Sequence, residues 1–202
     1  MAVTIDFIFD FGSPNAYLAH RAIPDIAERT GATFNYVPCL LGGIFKATNN
    51  VSPAISLQGV RNKPEYSAIE TRRFLNRFGV AAYSPNPHFP VNTLMMMRGA
   101  VYMREHKLYA SYVEAMYQCM WQKGRKMDEV EVFAIALEEY GLPKEEIVQG
   151  INDPSVKQRL LENTNDAVER GAFGSPTFFL GEEIFFGKET LRDIEELLTA
   201  AG

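Results

Sequence analysis

Ser13, at the start of a predicted helix, is the residue of this sequence best placed to do chemistry. It stands between Gly12 and Pro14, and serine is a favoured N-cap while proline fits the first helical position. A hydroxyl beside the free N–H groups of a helix N-terminus can bind an anion. The same serine could also be an ordinary helix cap, which contributes about 1 kcal/mol to stability. Sequence position alone leaves both interpretations open.

No other residue forms a recognisable nucleophile or metal motif. Cys39 and Cys119 are far apart and form no CxxC pair, which argues against a dithiol redox centre, a zinc knuckle and a disulfide scaffold. The histidines are scattered and belong to no catalytic or metal-binding pattern; they are His20, His88 and His106. We therefore predict no metal.

Composition restricts the class of protein. The chain has 202 residues, of which 47% are hydrophobic and 22% charged, values typical of a globular domain. A formal net charge of −5 without a basic block disfavours a nucleic-acid partner. Asp6 and Asp10 interrupt the apolar N-terminal run, so we predict neither a signal peptide nor a membrane span. The simplest expectation is a cytoplasmic protein.

The elements that position Ser13 follow from the periodicity of the sequence. Val3 to Asp10 alternates like a strand, a helix is predicted from Ser13–Pro14 to Gly31, and Thr33 to Cys39 is predicted as a second strand. A strand, a crossover helix and a strand form a βαβ unit with parallel strands.

The rest of the chain divides into three parts. Residues 40–62 are rich in glycine, asparagine and proline and predict a long irregular connection. From Pro64 to Arg170, apolar residues recur at three- and four-residue steps, which predicts several helices. The pattern of the C-terminal residues predicts a hairpin of Thr177–Leu180 and Ile184–Phe186, followed by a helix over Thr190–Ala200.

Six short segments carry a resemblance to a known family. They are FDFGSPNAYLA (9–19), LLGGIFKATNN (40–50), KPEY (63–66), FPVNT (89–93), GAFGSPTFFL (171–180) and FFGKETL (185–191). In this order they resemble 2-hydroxychromene-2-carboxylate isomerases and the related kappa-class glutathione transferases. The resemblance implies an α/β, DsbA-like thioredoxin fold as a single unit over residues 1–202. The thioredoxin part would cover about 1–40 and 171–202, with a helical insertion at about 63–170.

The resemblance also implies how glutathione is bound. Ser13 would face the sulfur as the catalytic residue, and the backbone of Ser175, before a cis Pro176, would pair with the cysteinyl amide. The redox branch of the fold has Cys-Pro-x-Cys where this chain has Ser13-Pro14-Asn15-Ala16. The chain therefore has no dithiol at this position.

Further glutathione contacts are implied on three segments. Asn50 and Lys63 would hold the glycyl and cysteinyl portions or a carboxylate, and Lys188 and Glu189, after Gly187, would meet the γ-glutamyl end.

The energetics define what Ser13 would have to do. A free thiol has a pKa of about 8.5, so a thiolate at neutral pH needs a shift near two units, about 2.7 kcal/mol. A helix N-terminus contributes about 0.3–2 kcal/mol, and a hydrogen bond to a charged group about 1.5–3 kcal/mol. The two together suffice, so we predict that Ser13 donates a hydrogen bond to the sulfur and does not itself attack.

Three functions remain open from the sequence. The first is a glutathione-dependent isomerase of a small aromatic-degradation intermediate, acting by thiolate addition, bond rotation and elimination. The second is a kappa-like transferase or peroxidase, and the third is a non-catalytic protein that binds an extended peptide. The resemblance further implies a homodimer.

Several other residues are candidates for the site or for the core. His88 is a candidate pocket wall, whereas helical methionines are usually core residues and both cysteines are predicted to be inert. Trp121 and Tyr117 could border a substrate site or a subunit interface.

Overall fold

The computed structural model describes residues 3–200 and contains a mixed four-stranded sheet in the order β2-β1-β3-β4. Its strands are β1 (Thr4–Phe9), β2 (Thr33–Pro38), β3 (Thr177–Leu180) and β4 (Glu183–Phe186). β1 runs parallel to β2 and antiparallel to β3, and β3 forms a hairpin with β4. Because Ile8 near the end of β1 pairs with Thr177 at the start of β3, the chain leaving β1 meets the chain entering β3.

Helices surround this sheet. They are α1 (Pro14–Thr30), α2 (Leu41–Thr48), α3 (Pro53–Ser56), α4 (Lys63–Arg77), α5 (Leu94–Met103), α6 (Tyr109–Trp121), α7 (Val130–Glu139), α8 (Lys144–Gly150), α9 (Pro154–Glu169) and α10 (Leu191–Ala200), and a 3-10 turn, Lys188–Thr190, precedes the last. The predicted α/β fold with a helical segment between its two halves is confirmed. Within residues 3–200, no helix combines the length and apolarity needed to cross a bilayer.

Helix α1 begins and ends where the sequence predicts. The Ser13 side chain caps its N-terminus, Pro14 occupies the first turn, and Gly31 ends it in the left-handed region at φ 69°. The helix continues through Pro24, which lies within its bounds.

The predicted irregular connection over residues 40–62 is wrong, because α2 and α3 lie within it. Gly42 and Gly43 lower helix propensity, yet both are in the first turn of α2. A Cβ on Gly43 would lie 3.0 Å from the Cγ2 of Thr164 on α9. The glycine therefore lets α2 pack closely on α9, and this tertiary contact outweighs the weak local preference.

Aromatic side chains fill the space between the sheet and the helices. The rings of Phe7 and Phe178 on neighbouring strands stack with centroids 5.2 Å apart. Trp121 is buried and donates its indole N–H to the Phe11 carbonyl at 2.7 Å, which fixes the loop that carries Ser13. Met96 and Met97 are fully buried in this core, as predicted for helical methionines.

Candidate active site

The Ser13 hydroxyl makes two hydrogen bonds at the start of α1. It accepts the N–H of Ala16 at 3.1 Å, which caps the helix, and it donates to the Ser175 carbonyl at 2.8 Å. Ser13 is only 4% exposed. The hydroxyl thus joins the first turn of α1 to the segment before β3, and capping and the contact with Ser175 occur together.

The Ser175–Pro176 segment lies opposite the start of α1. Its peptide bond is cis, as the resemblance implies. The Pro176 carbonyl accepts the N–H of Gly187, and φ of Gly187 is 96°, a conformation that a side chain would strain. Within residues 3–200, the Ser175 N–H has no hydrogen-bond partner, and Ser13 is the donor to the Ser175 carbonyl. The Ser175 N–H is therefore available to a ligand, whereas the Ser175 carbonyl is engaged by Ser13.

Two adjoining cavities meet at this point. The small cavity, about 240 Å³, is lined by Ser13, Asn50, Ser175 and Phe186 among others. The large cavity, about 690 Å³, extends from it towards Ile55. They share a wall of Gly12, Leu41, Phe45, Ser52, Ala54 and Phe89. Because this wall is mainly apolar, the cavities together suit an organic molecule with a polar end at Ser13.

Asp10 is a site residue that the sequence analysis did not single out. Its side chain lines the large cavity and accepts the N–H of Gly12 at 2.8 Å and the N–H of Leu41 at 2.7 Å. Burial raises the pKa of the Asp10 carboxyl, while the two N–H groups and the side chain of Thr93 act in the opposite direction. One carboxylate thus ties together the loop before Ser13, the start of α2 and the loop before α5.

Of the predicted glutathione contacts, Asn50 lies beside Ser13 and Lys63 does not. Asn50 lines the small cavity and donates its amide to the Phe173 carbonyl at 2.8 Å. Lys63 is the first residue of α4 and its ammonium lies 5.7 Å from the Tyr66 ring centroid. Lys63 is not among the described residues that line either cavity.

Lys188 and Glu189 lie in a separate cleft between α4 and α10. Lys188 is 2% exposed and pairs with Glu70 at 2.8 Å and with Glu189. The cleft, about 200 Å³, is also lined by Arg73 and Arg77. In this structure the ammonium of Lys188 is therefore engaged by two carboxylates, and its contact with a γ-glutamyl group stays a prediction.

The remaining candidates are distributed away from Ser13. His88 lines a different cleft with Arg125 and Glu129, whereas its neighbour Phe89 lines both cavities. Burial raises the pKa of the Cys39 and Cys119 thiols, which agrees with the prediction that both are inert.

His20 belongs to a network between α1, β2 and α6. Its ring nitrogens lie 2.7 Å from the Tyr36 hydroxyl and 2.9 Å from a Glu114 carboxylate oxygen. Arg21 also donates to Glu114, and the hydrogen bond with His20 is the main cause that lowers the Glu114 pKa from 4.5 to about 2. His20 and Glu114 do not line either cavity among the described residues. The network joins three elements, and His20 takes part in it away from the candidate site.

The fold and this site define the class of protein. The DSBA-like thioredoxin domain model matches residues 4–199, so the chain belongs to that family.

Within the family, the chain is similar to particular isomerases and transferases. It is 28% identical to a 2-hydroxychromene-2-carboxylate isomerase of Pseudomonas putida, covering 96% of this chain and 93% of that one. It is 26% identical to glutathione S-transferase kappa 1 of Caenorhabditis elegans, covering 96% and 90%. A solved structure of 2-hydroxychromene-2-carboxylate isomerase superimposes with a TM-score of 0.82 at 28% identity, covering 98% of this chain and 95% of that chain. The predicted resemblance to both groups is confirmed.

Proposed function

We propose that this protein is a glutathione-dependent isomerase that acts on a small aromatic compound with a conjugated, unsaturated side chain. The observation that carries the proposal is the position of Ser13. Its hydroxyl lies at a helix N-terminus and donates to the Ser175 carbonyl. Ser13 also lines the small cavity, which adjoins the mainly apolar large cavity.

The residues around the small cavity fit glutathione. The Ser175 N–H lacks a partner among the described residues, so it can donate to the carbonyl of an extended cysteinyl residue as a strand would. Asn50 adds a side-chain amide at the same cavity. When bound, glutathione would supply a sulfur nucleophile that adds reversibly to a conjugated carbon and leaves again after rotation about the former double bond.

Ser13 is the catalytic residue in this proposal. Its hydroxyl donates a hydrogen bond to the sulfur, and the positive end of α1 favours the same negative charge. The two effects add to about 2–5 kcal/mol, which covers the roughly 2.7 kcal/mol needed to ionise the thiol at neutral pH. Ser13 thereby favours the ionised form of the sulfur, and it forms no covalent bond to the substrate.

The large cavity would hold the aromatic part of the substrate. Phe45, Ile55 and Phe89 supply apolar walls, and Asp10 is the one ionisable side chain that lines either cavity in the described part of the chain. A carboxylate on the substrate would therefore remain at the open mouth in contact with water. The small aromatic compound and a second copy of the chain are the partners that we propose.

The similarity to a kappa-class transferase supports a second candidate function with the same thiol. Comparing chromene isomerisation with conjugation of 1-chloro-2,4-dinitrobenzene distinguishes the two. We expect glutathione-dependent isomerisation to be the faster reaction. Conjugation without isomerisation would assign the protein to the transferases instead.

Calorimetric titration with glutathione tests the shared part of both candidates. Binding with a stoichiometry of one per chain is expected. If glutathione does not bind, a protein that holds an extended peptide at Ser175 without catalysis becomes the better account.

A further inference from the structure

The Ser13 hydroxyl has a single proton, and this proton is already donated to the Ser175 carbonyl. The oxygen–oxygen distance is 2.8 Å, and the remaining capacity of the hydroxyl is partly used as acceptor of the Ala16 N–H. A hydroxyl has one donor, so it cannot donate to a carbonyl and to a sulfur at the same time. Ionising a bound thiol through Ser13 therefore requires that the hydroxyl leave Ser175.

The Ser175 carbonyl would then need another donor. Within residues 3–200, Ser13 is the donor that reaches it, and the neighbouring N–H of Ser175 has no partner. Ser175 is partly buried at the wall of the small cavity, where a lost donor is poorly replaced by water. A ligand that brings its own N–H to this carbonyl avoids that loss.

We propose that Ser13 acts as a latch that a peptide N–H of the thiol ligand releases. The ligand N–H donates to the Ser175 carbonyl, and the Ser13 hydroxyl rotates away from that carbonyl to donate its hydrogen bond to the sulfur. The thiol proton is released to water, and the serine keeps its own proton. This inference rests on the proposed function and deepens it, because it names the thiol class: cysteine derivatives with an acylated amine. Simple thiols such as 2-mercaptoethanol could enter the cavity but would not be activated.

The size of the effect follows from one unsatisfied group. A thiol without the N–H leaves either the carbonyl or the sulfur without a donor, which corresponds to a roughly ten- to hundredfold smaller ionisation constant of the bound thiol, about one to two pKa units. The discrimination must disappear when Ser13 has no hydroxyl, since there is then no latch to release.

Three ligands test the latch on the wild-type protein. The first is glutathione. The second, the cysteinyl ester, is a glutathione analogue with an ester oxygen in place of the cysteinyl N–H. The third, the glycyl ester, has the same replacement at the glycyl N–H and is the matched control. The pKa of each bound thiol is read from the ultraviolet absorbance of its thiolate as a function of pH at saturation, and affinity is measured by calorimetry.

We expect glutathione and the glycyl ester to show similarly lowered thiol pKa values, and the cysteinyl ester to lie about one to two units higher. In Ser13→Ala, all three values should coincide. Equal thiol pKa values for glutathione and the cysteinyl ester in the wild type would overturn the latch while leaving glutathione binding intact. Failure of glutathione itself to bind would instead overturn the proposed function.

Discussion

At the scale of single residues, Ser13 caps α1 and is the proposed catalytic residue, and the two roles can be separated. A helix N-cap contributes about 1 kcal/mol to stability, whereas the proposed hydrogen bond to a thiolate would contribute more and would act on the reaction alone. The contact with Ser175, which is distant in the chain, indicates that Ser13 is more than a cap.

Ser13→Ala should lower the free energy of unfolding by about 1–3 kcal/mol, because the helix cap and the donor to the Ser175 carbonyl are both lost. It should also reduce isomerase turnover by about two orders of magnitude. Asp153→Ala removes the N-cap of α9 and serves as a control for the lost cap, because it should cost about 1 kcal/mol without loss of turnover. Urea unfolding and steady-state kinetics on both variants give the comparison. Turnover of Ser13→Ala within a few-fold of wild type would show that the serine is only a cap.

Asp10 is the residue whose importance was not evident from the sequence. Its two backbone donors need two acceptor oxygens, and one of them, Leu41, is 31 residues away in the chain. Before the fold is known, the signal is only an acidic residue at the end of an apolar strand.

Asp10→Asn should destabilise the protein by about 1–3 kcal/mol, because the new amide nitrogen would face a backbone N–H. Asp6→Asn is the control, because Asp6 lies on β1 four residues before Asp10 in a partly exposed pair with Arg170. Its new amide oxygen can still accept from Asn35, so the change should cost less than about 1 kcal/mol. Urea midpoints for the two variants decide the point, and equal midpoints would contradict the assigned role of Asp10.

At the scale of elements, hydrophobic periodicity, helix caps and turn residues predicted β1, α1, β2 and the final hairpin. These local signals agree with the tertiary environment of each element. Helix α2 was missed because its two glycines resemble a loop, and only the contact with α9 explains one of them. In the candidate site, the proximity of Ser13 to the Ser175–Pro176 segment was predictable from the resemblance. The ion pair of Lys188 with Glu70 was not, because it depends on how α4 packs.

The two glycines of α2 give a matched pair. Gly42→Ala should stabilise the protein by a few tenths of a kcal/mol up to about 1 kcal/mol, because its Cβ would have no neighbour within 4 Å. Gly43→Ala should lose that gain, since its Cβ would press on Thr164 at 3.0 Å. Thermal unfolding of both variants is the measurement, and equal stabilisation would show that α2 does not pack on α9 in this way.

The His20–Glu114 network predicts how stability depends on pH. The pKa of Glu114 is lowered from 4.5 to about 2, so its contribution is fully present above pH 4.5 and is lost as pH falls towards 2. Because the Glu114 side chain is 34% exposed, the contribution is about 1–2 kcal/mol. Glu114→Gln should be less stable than wild type near neutral pH, and the two denaturation curves should converge in strong acid. A constant difference between the curves would contradict this account.

At the scale of the whole molecule, the sheet and the helical segment divide the work of the site. The antiparallel pairing of β1 with β3 brings Ser13 to Ser175, while α2, α3 and the loop before α5 enclose the cavities. The chain keeps the architecture of the DSBA-like family with serine and alanine in place of the two cysteines of a redox motif. In the proposed reaction, the sulfur therefore comes from glutathione and not from a cysteine of the protein.

Isomerisation of a chromene carboxylate by protein freed of all small thiols, before and after glutathione is added back, tests this claim most directly. We predict negligible turnover in the stripped protein and its recovery with glutathione. Full turnover without any added thiol would contradict the account.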